Sequence, residues 1–160
     1  MKSVLDNVGK RLLIAIQLDG RITNQDLADS IGVSPSPCLQ RRKRLEDTGV
    51  IDCYETRIDL SKVTQFIEVI SEITLNTNKG ADERDFESYI ANIPEMTSCR
   101  AVTGSVDYFA TFVAPDIRHY QTIVDRMTDE LGTIETVTSH VVYEHTKKYT
   151  GLPLTLLLDD

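Results

Sequence analysis

Residues 34–49, SPSPCLQRRKRLEDTG, carry four consecutive basic side chains, Arg41, Arg42, Lys43 and Arg44, inside a stretch with the start and stop signals of a short helix. A hydroxyl residue ahead of a proline at the first helical position opens a helix, and a glycine beyond the last turn, here Gly49, closes it. Either Ser34 or Ser36 can be the cap, because Ser36 precedes Pro37 and is biased away from helical angles. At about 100° per residue, Cys38, Arg42 and Leu45 share one side and are expected to face inward. Gln40, Lys43 and Arg44 point the other way, with Ser36 near them at the N-terminal end and Arg41 on a flank. Arg42 stands where an apolar residue is expected, so its stem should lie along the core with its head turned outward.

Upstream, Leu5, Val8, Leu12, Ala15 and Ile16 recur at helical spacing until Asp19-Gly20. Thr23 caps a second helix, with Asp26 three residues on in a variant of the capping box, and Leu27, Ala28 and Ile31 form its apolar stripe. Gly32 then separates it from the basic helix. Two short helices joined by a glycine turn, the second one basic, are the helix-turn-helix pattern. In that setting Lys43 and Arg44 are placed to reach base edges or phosphates, and Gln40 to make bidentate contacts to adenine. Arg41 is expected as a phosphate clamp. Because Pro35 and Pro37 remove backbone donors, the hydroxyls of Ser34 and Ser36 are expected to supply phosphate contacts at that end. Downstream, VIDCYETRID alternates between apolar and polar residues and is expected to form a short hairpin, the wing, with Arg57 able to touch a phosphate but expected chiefly as a solvent-facing strand residue. This gives a winged helix-turn-helix domain over residues 1–59, followed by a linker at 60–65.

Residues 66–160 show a different order. Phe66 to Leu75 reads as a strand, with Ile67, Val69, Ile73 and Leu75 on one face. Asp82 is expected to cap a helix with Phe86, Tyr89, Ile90 and Ile93 as its stripe. Two strands follow, Thr97 to Thr103 and Tyr108 to Val113. Asp116 then caps a helix bearing Ile117, Tyr120, Val124, Met127 and Leu131, and Ile134 to Tyr143 is a last strand. The order βαββαβ implies a ferredoxin-like sheet with both helices on one face, and an α+β class for the whole chain. The uncovered sheet face of so small a domain calls for a partner, so at least a dimer is expected.

Of 160 residues, 41% are hydrophobic and 26% charged, which describes a soluble globular protein. The net charge of −8 argues against a nucleic-acid partner until the chain is divided. Residues 1–60 hold nine basic and nine acidic side chains, whereas residues 61–160 hold eight basic and sixteen acidic ones. Screening over about 8 Å lets a local basic cluster attract phosphate despite a distant acidic domain. No apolar run reaches the roughly 20 residues of a membrane helix, and MKSVLDNVGKR lacks the apolar core of a signal peptide, so a cytoplasmic location is expected. Cys38, Cys53 and Cys99 are scattered and expected as reduced thiols. His140 and His145, five apart, would face opposite sides of an unbroken strand. No metal spacing, phosphate loop or nucleophile motif is present, so neither an enzyme, a metal site nor a cofactor is expected.

The run DGRITNQDLADSIGVSPSPCLQRRKRLEDTGVI resembles the DNA-binding region of the Lrp/AsnC ("feast/famine") family, and VTGSVDY followed by VAPDIRHY is similar to that family's effector-binding domain. The resemblance implies a transcriptional regulator of double-stranded DNA that dimerises through its C-terminal sheet, with dimers often assembling further, commonly into octamers. It also implies a small amino acid bound between dimers. The effector positions fall on Thr103, Gly104, Ser105, Asp107 and Tyr108, and on Thr133, Ile134, Val137 and Ser139. Several positions depart from the family pattern. Gly9 replaces an aspartate, Arg42 an apolar residue, Ser105 a frequent acid, and Val137 a hydroxyl. A redox- or metal-sensing regulator using the three cysteines, or an effector-independent architectural DNA-binding protein, are the competing expectations.

Overall fold

The computed structural model describes residues 5–76 and 81–158, with the backbone alone at 81 and 82. The chain divides into two compact units, Met1–Arg57 with Lys147–Asp160, and Ile58–Thr146.

In the first unit, α1 (Asn7–Leu18) begins at Asp6, whose carboxylate accepts from the Gly9 amide, and α2 (Asn24–Ile31) begins at Thr23, whose hydroxyl accepts from the Asp26 amide. Gly32 ends α2 with φ 69°, a left-handed angle that a side chain would oppose. The basic helix α3 (Pro35–Asp47) starts from Ser34, which settles the choice between the two serines; Ser34 caps by its extended backbone, and its hydroxyl makes no cap hydrogen bond. Leu12, Ile16, Leu27, Ala28, Ile31, Cys38 and Leu45 form the core where the three helices meet.

The expected wing hairpin is not formed: residues 52–59 lie outside any strand. The segment contains no Gly, Asn or Pro to make the tight turn that a hairpin needs. Its alternation is satisfied by side-chain contacts instead. Ile51 packs on the core, Tyr54 lies against α3, and the Arg57 guanidinium donates to the Tyr149 carbonyl at 2.6 Å and sits 4.5 Å from the Tyr149 ring centre. Arg57 is therefore held by the C-terminal tail and does not stand as a free strand residue.

That tail was expected in the second domain, yet it packs with the first. The Gln17 side-chain amide donates to the Leu152 carbonyl at 2.8 Å and accepts from the Leu152 amide at 2.9 Å. Lys10 Nζ donates to the Leu158 carbonyl at the end of a one-turn helix, α6 (Leu154–Leu158). Gly151, between these contacts, has φ +113°, and a Cβ there would stand 2.8 Å from Gln17 Nε2. Only glycine lets the tail lie so close.

After a single 3-10 turn at Leu60–Lys62, the second unit runs β1 (Ile67–Leu75), α4 (Ala81–Ile90), β2 (Met96–Ala101), β3 (Tyr108–Ala114), α5 (Ile117–Leu131) and β4 (Ile134–Val142). Asp82 was expected to cap this helix, but α4 already includes Ala81, so Asp82 lies within it. The sheet order is β2-β3-β1-β4 with every neighbouring pair antiparallel, the ferredoxin-like arrangement. Val69, Ile73, Tyr108, Ala110 and Phe112 meet Phe86, Tyr120, Ile123 and Met127 in one core, which puts both helices on the same sheet face. Ser71 is fully buried within it, its hydroxyl 2.8 Å from the Tyr120 hydroxyl. The opposite face carries Ile70 and Phe109, 38% and 37% exposed.

Candidate nucleic-acid interface and effector site

The inner edge of α3 is fastened at three points. Cys38 and Leu45 are buried, and between them Arg42, with 22% of its side chain exposed, reaches the inner end of the strap that follows the helix. Its guanidinium lies 5.1 Å from the Tyr54 ring centre, and its Nε donates to Glu46 at 3.0 Å and to the Tyr54 hydroxyl at 3.1 Å. The Tyr54 hydroxyl in turn donates to Glu46 at 2.7 Å. Those donors, Tyr54 first and Arg42 second, hold the Glu46 carboxyl below its ordinary pKa. Arg42 thus takes the apolar position as expected, but its head is bound to Glu46 and Tyr54 instead of turning out to water.

With the inner edge locked, Ser34, Ser36, Gln40, Lys43 and Arg44 are all exposed on the remaining faces. The side chains of Lys43 and Arg44 make no hydrogen bond or ion pair with any other described residue. Unsatisfied cations on one helix face, beside a glutamine able to bond a base edge, form an arrangement suited to phosphate and base contacts. Arg41 is different: its Nη1 lies 2.6 Å from Asp6 Oδ2.

Three polar residues of this unit escaped the sequence reading. Asp6 was legible as an acid just ahead of an apolar periodic run, an N-cap signal, but its bond to Arg41 spans 35 positions. Asn24 Nδ2 donates to the Pro35 carbonyl at 2.9 Å, tying the start of α2 to the start of α3. Tyr54 looked like one apolar position of a hairpin.

The expected effector residues divide in two. The turn Val102–Asp107 closes with Val102 N donating to the Asp107 carbonyl at 2.9 Å. Asp107 Oδ2 accepts from Leu75 N at 2.8 Å, while the next residue, Asn76, donates its amide to the Thr133 carbonyl at 2.7 Å. The β2–β3 turn and the α5–β4 turn therefore bind successive residues at the end of β1. Thr103, Gly104, Ser105, Asp107 and Thr133 come together at that end of the sheet, and Thr133 Oγ1 is buried without a partner among the described residues. Tyr108, Ile134 and Ser139 do not join them. Tyr108 is buried with its ring 4.6 Å from that of Phe86, and burial together with Glu87 and Glu83 pushes its phenol up to about 12. Ile134 is in the core, and the Ser139 hydroxyl lies 2.5 Å from that of Tyr120. The period-2 pattern of a strand identifies inward residues, but a turn's partners across the sheet are not written in its own residues.

Cys38 is buried, Cys53 exposed and Cys99 half-buried, all unpaired. No group of three or more His, Cys, Asp or Glu among the described residues is arranged to hold a metal. The opposite facing expected for His140 and His145 does not occur. Because β4 ends at Val142, both turn to the outer sheet face, His140 3.3 Å from Glu72 and His145 3.0 Å from Glu68. No helix among the described residues is long and apolar enough to cross a membrane.

Comparison with known proteins also finds two domains, although the second family model runs into the tail that the structure packs with the first unit. Residues 5–52 match a winged helix-turn-helix DNA-binding model, and residues 68–152 match the Lrp/AsnC ligand binding domain. The chain is 34% identical over 145 residues to the transcriptional regulatory protein DoeX of Halomonas elongata, covering 90% of this chain and 91% of that protein. It is 31% identical over 144 residues to the leucine-responsive regulatory protein of Escherichia coli strain K12, covering 90% and 88%. Among solved structures, a transcriptional regulator of Neisseria meningitidis in complex with L-Met superposes with a TM-score of 0.87 at 29% identity, covering 96% of this chain and 99% of that one. An AsnC family transcriptional regulator from Agrobacterium tumefaciens gives 0.86 at 29% identity, with the same coverage. An α+β chain with a helix-turn-helix unit, a ferredoxin-like ligand-binding unit and these relatives is not an enzyme; it belongs to the Lrp/AsnC family of transcriptional regulators.

Proposed function

We propose that this regulator binds specific sequences of double-stranded DNA in the cytoplasm through the outer face of α3, as a dimer that presents two such helices to paired half-sites. The observation that carries the reading is the contrast along α3: Arg42 is bonded on both sides, whereas Lys43 and Arg44 are unpaired among the described residues and exposed. Gln40, Lys43 and Arg44 read bases or phosphates, and Ser34, Ser36 and Arg41 contact phosphate. A second copy covers the outer sheet face that carries Ile70 and Phe109. A small amino acid binds between dimers at the sheet end formed by Thr103, Gly104, Ser105, Asp107 and Thr133; Tyr108 and Ile134, packed in the core, support the backbone of that end, and Ser139 is held by Tyr120 instead. Its binding shifts assembly, octamers included, and by linkage DNA alters its affinity.

Electrophoretic mobility shift with the duplex upstream of the protein's own gene tests the DNA reading. Arg44→Ala is expected to weaken specific binding by about 1–3 kcal/mol if Arg44 reads a base. A uniform loss on all sequences, with a shallower salt slope, makes it a phosphate contact. Thermal-shift screening of the twenty amino acids, L-Met among them, tests the effector, because a ligand of the native state alone raises the melting temperature. An effector-independent regulator is the second reading. It is favoured by the engagement of Ser139 with Tyr120 and by the apolar Val137, and a flat screen selects it.

A further inference from the structure

Asp6 binds two elements at once. Its Oδ1 accepts from Gly9 N at 2.8 Å, capping α1, and its Oδ2 accepts from Arg41 Nη1 at 2.6 Å. Both side chains remain at the surface, 53% exposed for Asp6 and 43% for Arg41, so a phosphate has access to the guanidinium. A guanidinium carries five N–H donors. Asp6 engages only Nη1, and the other two nitrogens still point donors elsewhere. An ion pair this exposed adds little to folding stability, whereas it changes what a polyanion meets on α3. Lys43 and Arg44 form no ion pair among the described residues, although Lys43 is near enough to Glu46 to help lower its carboxyl.

Resting on the reading of Arg41 as a phosphate contact, we propose that Asp6 is a specificity-determining residue of the DNA interface, cancelling the generic attraction of Arg41 for phosphate while fixing the direction of its guanidinium. From beyond a Debye length of about 8 Å, the pair is neutral and recruits no DNA. At contact range the outward donors meet a phosphate oxygen only when α3 is seated in register. A correctly seated duplex gains the Arg41 contact, and a misaligned one does not. Asp6 so widens the gap between specific and random binding without touching a base. Its distance from α3 in the sequence hides the role, and so does its second task as a helix cap.

Asp6→Asn separates the two tasks, since asparagine caps a helix about as well as aspartate but brings no charge. The full chain is titrated across a salt series with a random-sequence duplex and with the duplex upstream of its own gene. Asp6→Asn is expected to tighten random-duplex binding by roughly 3- to 10-fold at low salt and to steepen its salt slope by about 0.9, the increment for one more neutralised phosphate. The ratio between the two duplexes narrows, and Asp6→Ser, another good cap, does the same. Adding Arg41→Ala to Asp6→Asn removes the gain. A gain that survives in that double variant overturns the proposal, because the charge then acts without Arg41. So does an unchanged random-duplex slope in Asp6→Asn while Arg41→Ala alone weakens binding, a result that keeps Arg41 as a DNA contact. Should Arg41→Ala leave both affinities and both slopes unchanged, the underlying reading of Arg41 fails, and the role of Asp6 with it.

Discussion

The two units differ most in what holds them together. Seven buried apolar residues form the core of the helix-turn-helix unit among the described residues, against fourteen in the sheet unit. A small core leaves a domain marginal and dependent on ties at its periphery. Among the described residues of the first unit these include the Gln17–Leu152 clasp, the Lys10–Leu158 and Asn24–Pro35 hydrogen bonds, the Arg57–Tyr149 stack, the Arg42–Tyr54–Glu46 cluster and the Asp6–Arg41 pair. The sheet unit also carries surface pairs, His119–Glu95, His140–Glu72 and His145–Glu68, but it adds a polar tie that reaches its interior, where Tyr120 joins the fully buried Ser71 to Ser139 at the surface. Polar ties at a surface are weakened by salt and acid. A polar tie in a core is insulated from both, and removing half of it leaves a buried group with no water to turn to.

The largest expected effect follows from the smaller core. Leu27 is fully buried in the first unit, and Leu27→Ala should cost that unit about 2–5 kcal/mol. For a unit this small the loss is most of its stability. DNA binding should disappear in a mobility-shift assay at 37 °C, while light scattering still reports the assembly of the sheet units. If assembly is lost along with DNA binding, the two cores melt as one and the comparison between them collapses.

An intermediate effect sharpens the contrast from the other side. Tyr120→Phe keeps the ring that packs edge-on against Phe112, 5.3 Å between ring centres, but strands the buried hydroxyl of Ser71. The expected cost is about 1–3 kcal/mol, read as a lower midpoint in urea. The fourteen-residue core should absorb it, leaving DNA binding at ambient temperature unchanged.

These differences also explain what could be read from the sequence. Helix periodicity and caps are properties of neighbouring residues, so Asp116, Thr23 and the centre of the α5 stripe, Tyr120, Val124 and Met127, were legible without any tertiary information, whereas Ile117 is exposed and the buried Ile123 was missed. The division of α3 into a locked edge and an open face was equally legible, because a helix has one period and Arg42 broke it. The wing hairpin is absent for the opposite reason: alternation in VIDCYETRID suggests strand pairing, but it records contacts to α3 and, from Arg57 to Tyr149, to a tail 92 residues away. The tail's return to α1 had no local signal beyond Gly151, whose need for a positive φ becomes evident only with Gln17 beside it. At the effector site the turn residues were legible as a turn, but their meeting with Asn76 and Thr133 depends on sheet order.

The smallest expected effect concerns acid. Glu46, 35% exposed, and Asp6, more open still, both have their carboxyl pKa values lowered in the folded first unit. For Glu46 the leading cause is the Tyr54 hydroxyl, and for Asp6 it is the Gly9 amide. A carboxyl whose folded pKa lies below its unfolded value stabilises the fold fully above the unfolded value, and that contribution is lost as pH falls through the folded one. The unfolded value for Glu46 is close to its ordinary 4.5, so stability should be flat between pH 6 and 8 on this account and should decline below about 4.5. Screening at such exposed sites limits each carboxylate to some tenths of a kcal/mol. In the sheet unit Glu95 is lowered in the same way by His119, but it acts on a core twice as large. On acidification the helix-turn-helix unit should therefore melt first, with DNA binding lost before assembly. Glu46→Gln should flatten the fall of its urea midpoint between pH 6 and pH 3.5, because glutamine still accepts from Tyr54 and Arg42 but has no proton to take up in this range. An equally steep fall in that variant would move the acid sensitivity from the Arg42–Tyr54–Glu46 cluster to the other tie with a lowered carboxyl, the Asp6 cap of α1.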